Sequence, residues 1–265
     1  MIPKVIHYCW FGRQPKSNDV KRYISSWRKY CPDYTIKEWN ENNFNFTENT
    51  YCREAYDAKK WAFVSDYARL KILYENGGIY MDTDVELVKS LDSLINYNVL
   101  AGFDLEHRIQ TGTLGASRNN FWIHMLLDDY NHRNFIQLDG SYDLTTNVDR
   151  ITELTKRKYG LKLNGKLTMF GNNYVILPFD YLCAKSSKTG VVSRTVNTYA
   201  IHHFNGSWLS DDEKKYSNLI KSNFSKFDKL GINSGIAYAL ARVNTVYTLH
   251  GISGIMKKLT NKIIG

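Results

Sequence analysis

Two aspartates one residue apart, Asp82 and Asp84, sit in the run NGGIYMDTDVELV at residues 76–88. In an extended strand, side chains at i and i+2 share a face, so the two carboxylates are expected to converge. Converging like charges make each other harder to ionise, a cost that a divalent cation relieves. A D-x-D pair also arises by chance, so it needs company to mean anything. Asp66 and Arg69, in AFVSDYARLKIL, are three apart and share one face if that run is helical. They read either as a solvated ion pair worth under about 1 kcal/mol or as a polar pair that receives a substrate hydroxyl. IHHFNGSW (201–208) carries His202 and His203. Imidazole joins carboxylates around divalent metals, and alternation along a strand lets only one of the two reach a given site. A hydrogen-bonded structural histidine is the plainer reading of either.

These residues need elements to position them. KVIHYCWFG (4–12) reads as a strand ending in a glycine turn. NDVKRYISSWRKY (18–30) places Val20, Ile24 and Trp27 at helical spacing behind Ser17 or Asn18 as N-cap. YTIKEWN (34–40) alternates as a strand does. Residues 53–75 read as one helix stopped by Gly77-Gly78, and GIYMDTDVELV as the strand that follows. NVLAGFD (98–104) is a further strand. Strands alternating with helices predict an α/β fold with a mainly parallel sheet, whose ligands gather at the carboxyl ends of strands, where Asp82 and Asp84 fall. The second half is less regular: a helix over 120–132, a loop running into a helix from 139, and strands in NNYVILPFDYLCA and NTYAIHHFNGSW.

Composition excludes several classes. With 265 residues, 43% hydrophobic and 23% charged, the chain can build one large core. Aromatic residues make up 14%, material for stacking platforms as well as for core. Four scattered cysteines, Cys9, Cys31, Cys52 and Cys183, form no C-x-x-C pair and predict neither a disulfide framework nor a zinc site. The amino terminus lacks the pattern of a signal peptide, and no apolar run is long enough to span a bilayer. The net charge of +9 is concentrated: between Lys214 and Gly265 lie nine Lys/Arg and one acid, Asp228. The body is nearly neutral, which argues against a nucleic-acid groove. In the tail, Ile236, Leu240, Val243 and Tyr247 recur at helical spacing, as do Ile252, Ile255, Leu259 and Ile263, with lysines between the later ones. That pattern predicts a basic amphipathic segment over 211–265 beside a main domain over 1–210, which the resemblance below makes the catalytic one.

IPKVIHYCWFG, CPDYTIKEWNENNF, AKKWAFVSDYARLKILYENGGIYMDTDVELVKSLDSL and YAIHHFNGSWL, in this order, resemble bacterial glycosyltransferase family 32. These are DXD-containing sugar transferases of capsule, exopolysaccharide and lipopolysaccharide synthesis, akin to the glucosylating domains of large clostridial toxins. The resemblance runs from Ile2 to Leu209 and leaves out the basic tail. It implies a GT-A fold, a Rossmann-like nucleotide-sugar-binding sheet with flanking helices, using a UDP-sugar with Mn²⁺ or Mg²⁺. On the matching positions, Trp10 stacks on uracil, Asp66 and Arg69 bind the donor sugar, and Tyr80 belongs to the donor site. Asp82 and Asp84 hold the metal. His203, spaced H-x-x-G from Gly206, is preferred over His202 as the third ligand, and Trp208 lies near the diphosphate. IQTGTLGA (109–116), with Gly112, is expected on the sugar side, and DLTTNVD (143–149), with Asp143 and Asn147, on the acceptor side.

The implied chemistry is transfer with retention, giving an α-linkage, by front-face attack without a covalent intermediate. Asp84, Asp66 and Arg69 would carry it. Galactose or N-acetylgalactosamine are the leading donor sugars, with glucose behind. The expected acceptor is a saccharide on a polyprenyl diphosphate lipid, reached from the cytoplasmic face of the inner membrane through the basic tail. The tail's alternative is a helical subdomain packed on the body. Two rival functions are a toxin-type transferase acting on protein side chains and a non-catalytic nucleotide-sugar binder.

Overall fold

The computed structural model describes residues 1–206, Leu209 and residues 211–263, with side chains described through Gly251. Trp208, assigned above to the diphosphate, lies outside the described residues. The chain divides into two compact units: residues 1–185 with 192–205, and residues 186–191 with 206–265.

The first unit is built on β1 (Val5–Cys9), α1 (Asn18–Tyr30), β2 (Thr35–Trp39), α2 (Thr50–Asp57), α3 (Trp61–Asn76), β3 (Gly78–Met81) and β4 (Val85–Leu87). It continues through β5 (Val99–Phe103), β6 (Ile109–Ala116), α4 (Phe121–Asp128), α5 (Asn147–Tyr159), β7 (Thr168–Phe170), β8 (Tyr174–Leu177), α6 (Phe179–Leu182) and β9 (Ala200–His202). Seven strands form one sheet in the order β2-β1-β3-β6-β5-β8-β7, while β4 and β9 make a separate two-stranded sheet. β1 runs parallel to β2 and β3, and β5 parallel to β8; β6 is antiparallel to β3 and β5, and β7 to β8. The result is an α/β sheet flanked by helices, the class that the alternation of strands and helices in the sequence predicts.

Strand alternation feeds two cores. Ile6, Ile79, Met81, Leu100 and Val175 face a cluster with Val20, Ile24 and Trp27 of α1. Tyr80, Phe103, Ile109 and Leu114 face the other, with Tyr51, Leu70, Leu73 and Trp122. Ser17 caps α1 by accepting the Val20 N–H, as the sequence allowed.

Two expectations change. The helix foreseen over 53–75 is two helices, α2 and α3, separated at residues 58–60, where Lys59 adopts φ 57°. A left-handed residue cannot continue a right-handed helix, so the chain re-aims and starts again. The strand foreseen through the aspartates breaks as well. After β3, the Val85 N–H donates to the Asp82 carbonyl at 3.0 Å, closing a turn over 82–85, and β4 leaves the main sheet to pair with β9. Trp27 of α1 pins the exit, its indole N–H donating to the Val85 carbonyl at 2.8 Å. The carboxylates therefore converge through a turn rather than through strand alternation.

The second unit contains α7 (Asp211–Lys229) and α8 (Ser234–Ile263), the latter interrupted at Gly251 with φ 64°. Ile220 and Phe224 of α7 pack against Ala237 and Ala241 of α8. Asn223 donates to Thr245 Oγ1 at 3.0 Å in the same buried seam. Among the described residues no helix is long and apolar enough to cross a membrane.

Candidate active site

The site grows from α3 and the β3–β4 turn. Asp66 and Arg69 share a face of α3, and the Arg69 guanidinium donates to Asp66 Oδ1 at 2.7 Å. The same guanidinium donates to the Thr111 carbonyl at 2.8 Å and lies 3.4 Å from Asp82 Oδ1. Its side chain is 5% exposed, so this is a buried, multiply bonded cation rather than a solvated surface pair. Tyr80 packs its ring under the guanidinium at 4.8 Å and donates its hydroxyl to Asp82 at 3.2 Å. At 2% exposed, Tyr80 serves as the floor that holds Arg69 and Asp82.

Asp84 is held from the other side. One carboxylate oxygen accepts the Asn205 N–H at 2.8 Å, and the other lies 3.2 Å from His202 Nε2. Asp82, Asp84 and His202 bring one ligand atom each to within 4.8 Å of one another. The imidazole at the aspartates is thus His202, which corrects the preference for His203. β9 pairs with β4 in the register Val85↔His202, and alternation sends the next side chain away. His203 stacks on Tyr23 of α1 at 4.5 Å and contacts Glu86 through Nε2 at 2.8 Å. The H-x-x-G spacing that favoured His203 carries no information about which face of β9 meets the turn.

Electrostatics set this cluster apart. Burial pushes the Asp66 carboxyl up to about 6, reinforced by Asp82 and offset in part by Arg69. Burial also works to raise Asp84, but the charge and hydrogen bond of His202, with the Asn205 N–H, hold it down to about 2. For His202, burial works to lower the pKa, and Asp84 more than reverses it, so the imidazole is held well above its ordinary value. Three carboxylates face one guanidinium and one imidazole, so the cluster stays net negative even when His202 is charged.

The donor set fits a divalent metal on this structure's own terms. Two carboxylates and an imidazole are oxygen and nitrogen donors of the kind Mn²⁺ and Mg²⁺ accept. His202 Nδ1 is buried with no hydrogen-bond partner among the described residues, and the cluster carries an excess of negative charge that a cation would neutralise.

The remaining predicted residues spread around this centre. Gly112, on β6, accepts the Asp82 N–H at 2.8 Å, and a Cβ there would meet the His202 ring at 2.7 Å. Asn147, at the start of α5, donates to the Asp66 carbonyl at 3.4 Å, and its buried Oδ1 has no partner among the described residues. Asp143 is turned elsewhere, receiving Arg133 at 2.6 Å and capping the Thr145 N–H at 3.0 Å. A cavity of about 230 Å³ beside it is lined by Arg133, Asn134, Gln137 and Arg150. Trp10 is half-buried, donates its indole N–H to the Gln14 carbonyl at 2.6 Å and carries the Lys16 ammonium 5.3 Å from its ring. It lines a second cavity of about 330 Å³ with Arg13, Glu38, Asn40 and Glu41. Sequence reasoning missed the Thr111 carbonyl and the Asn205 N–H. Backbone groups leave no signature in residue type.

A turn of paired acids beyond β3, backed by a buried Asp–Arg pair and met by an imidazole from a separate strand, defines a DXD-type site on an α/β sheet. Residues 17–100 match the family model described as a glycosyltransferase sugar-binding region containing DXD motif. The matched segment holds Asp66, Arg69, Asp82 and Asp84. It is 33% identical over 104 residues to inositol phosphoceramide mannosyltransferase 3 of Schizosaccharomyces pombe, covering 36% of this chain and 28% of that protein. It is 26% identical over 175 residues to an uncharacterized glycosyltransferase, L373, of Acanthamoeba polyphaga mimivirus, covering 59% of this chain and 67% of the viral one. Among solved structures, the PaToxG glycosyltransferase is 22% identical with a TM-score of 0.45, covering 59% of this chain and 69% of that one.

Proposed function

We propose that this chain is a divalent-metal-dependent glycosyltransferase that moves a hexose from a nucleoside diphosphate sugar to a saccharide acceptor. The observation that carries the reading is the convergence of Asp82, Asp84 and His202 beside the buried Asp66–Arg69 pair. Bound there, Mn²⁺ or Mg²⁺ would supply Lewis-acid stabilisation of the charge that grows on the leaving diphosphate. Asp82, Asp84 and His202 would hold the ion. Asp66 and Arg69, kept rigid by Thr111 and Tyr80, would orient donor hydroxyls, so that the anomeric carbon faces the acceptor. Trp10, with its ring half-buried at a cavity, fits a nucleobase platform, and Asn147 borders Asp66 on the side assigned to the acceptor.

UDP-galactose and UDP-N-acetylgalactosamine remain the leading donors, transferred with retention. The mannosyltransferase similarity adds a nucleotide-mannose to the set worth testing. That relative's name also specifies a lipid, inositol phosphoceramide, which supports a lipid-linked acceptor here. In keeping with such an acceptor, residues 211–265 are assigned to an anionic membrane surface, with capsule or related polysaccharide as the product. On α8, Ile236, Leu240, Val243 and Tyr247 form a stripe that is 58%, 40%, 53% and 54% exposed. Arg242 lies within the stripe, and Lys257, Lys258 and Lys262 follow it in sequence. Sedimentation with vesicles checks this: binding to anionic but not zwitterionic lipid, lost in Leu240→Asp, is expected.

The test of the enzyme itself is donor hydrolysis. Purified protein is offered UDP-galactose, UDP-N-acetylgalactosamine, UDP-glucose and a nucleotide-mannose, with Mn²⁺ or with EDTA. Cleavage of one donor only with metal, abolished in Asp84→Asn, is the expected result. Absence of both cleavage and metal-dependent nucleotide binding would sink the reading.

A further inference from the structure

β5 and β6 do not pair evenly. Leu100 stands opposite Gly115 and Gly102 opposite Gln110, so β5 advances two residues while β6 advances five. The surplus residues of β6 bulge away from β5 around Thr111–Thr113, leaving backbone groups that the ladder would otherwise pair. One side chain takes them up. Gln110, 2% exposed, accepts the Gly112 N–H at 2.8 Å and the Thr113 N–H at 3.2 Å through Oε1. Its Nε2 donates to the Thr113 carbonyl at 3.1 Å. The amide thus replaces the missing strand partner.

The bulge has consequences on its far side. The Thr111 carbonyl receives the Arg69 guanidinium at 2.8 Å, and the Gly112 carbonyl receives the Asp82 N–H at 2.8 Å. A Cβ at Gly112 would meet the His202 ring at 2.7 Å, so the ring takes the space that the glycine leaves open. Arg69, Asp82 and His202 therefore each lean on a stretch of backbone whose course Gln110 sets.

We propose that Gln110 is a positioning residue: it clamps the β6 bulge so that Thr111–Gly112 aims Arg69, Asp82 and His202 at the metal and donor. The inference deepens the proposed function and rests on it. Gln110 itself shares no hydrogen bond with Asp66, Asp82, Asp84 or His202 among the described residues. Removing its amide frees the bulge to relax, and partners one step from the ligands set their geometry as the ligands do.

Two variants and two readouts test this. Gln110→Met keeps the volume and loses all three bonds; Gln110→Glu keeps the acceptors for Gly112 and Thr113. In metal-free, ¹⁵N-labelled protein, Gln110→Met is expected to lower hydrogen-exchange protection at Gly112, Thr113 and Asp82 by at least roughly tenfold, with the β1 and β8 amides unchanged. Calorimetry with MnCl₂ and UDP is expected to show roughly ten- to hundredfold weaker metal–nucleotide binding in Gln110→Met. Gln110→Glu should retain most of both signals. Unchanged protection at Gly112 and Thr113 in Gln110→Met overturns the proposal. So does protection lost equally throughout the sheet, or a well-folded Gln110→Glu that binds as weakly as Gln110→Met. If Gln110→Met does not fold, Gln110→Glu decides by itself: normal protection at Gly112 and Thr113 with near-normal MnCl₂–UDP binding supports the clamp, and loss of either removes it. Wild-type protein that binds neither MnCl₂ nor UDP counts against the proposed function, while the exchange data still decide the clamp.

Discussion

Two acid-rich clusters of the first unit look alike in composition and differ in balance. Asp129 and Asp143 face Arg133 and Arg150: Arg150 grips Asp129 at 2.7 and 3.0 Å, and Arg133 grips Asp143 at 2.6 Å. The Arg133 guanidinium also lies over the rings of Tyr51 and Tyr130 at 4.7 and 4.8 Å. Each charge has an opposite, and the forked hydrogen bonds are fixed by packing, an arrangement suited to holding a loop in place. Around Arg69, three carboxylates share one guanidinium and one imidazole. The first cluster is balanced within itself, whereas the second keeps an excess of negative charge, the property on which the proposed metal site rests. Counting aspartates would not have separated the two.

The comparison breaks first at its acids. Asp84→Asn is expected to lower metal-dependent donor cleavage by about a thousandfold, the scale of losing a main electrostatic stabiliser. Asp143→Asn should leave cleavage within about threefold. Equal losses in well-folded variants would make the clusters one site. Arg133→Met, which strands Asp143 and part of Asp129 with a 6% exposed partner removed, should cost about 3 kcal/mol of unfolding free energy in urea titrations. Its cleavage rate per folded molecule should be retained.

Smaller effects sharpen the contrast. MnCl₂ at a hundredfold above its dissociation constant should stabilise the wild-type protein by about 2.7 kcal/mol, and Asp84→Asn should show almost none of that thermal shift. His202→Ala should weaken MnCl₂ binding about tenfold or more, whereas His203→Ala, which loses Tyr23 and Glu86, should leave it nearly unchanged. The reverse order would restore His203 as the ligand.

Acid dependence is the mildest discriminator. Asp66 titrates above its unfolded value, at about 6 against 3.8. Its contribution to metal-free stability is therefore fully present below pH 3.8 and is lost as pH rises through about 6. Asp143 is the opposite: burial would raise it, but Arg133 and Thr145 hold it below its ordinary value. Its contribution is present above pH 3.8 and fades as pH falls through its lowered pKa. Asp66→Asn should thus steepen the rise of metal-free stability between pH 3.8 and 6, and Asp143→Asn should flatten the acid limb below it. Identical changes in the two variants would remove the electrostatic distinction.

Much of the frame was legible in the sequence because it is local. Val20, Ile24 and Trp27 mark α1 by spacing, Ser17 caps it, and Gly77-Gly78 ends α3 where their positive φ requires it. Asp66 and Arg69 share a face because three residues make nearly one helical turn. The break at Lys59 was not legible, since nothing in the residue type demands φ 57° there. The turn at Asp82–Asp84 was masked by a run of residues that favour strands on both sides.

What the sequence by itself determined is the inventory: an α/β chain, an aspartate pair beside a helical Asp–Arg pair, two candidate histidines and a basic tail. Local periodicity carries all of these, because each depends on neighbours within a turn or two. Only the tertiary structure decided which histidine meets the aspartates, that Asp143 is already paired, and that Gln110 braces the β6 bulge. Those outcomes depend on the register of β9 against β4, on Arg133 reaching across a loop, and on unequal pairing of β5 with β6. Each is a contact between segments far apart in the chain, and residue spacing carries no record of it.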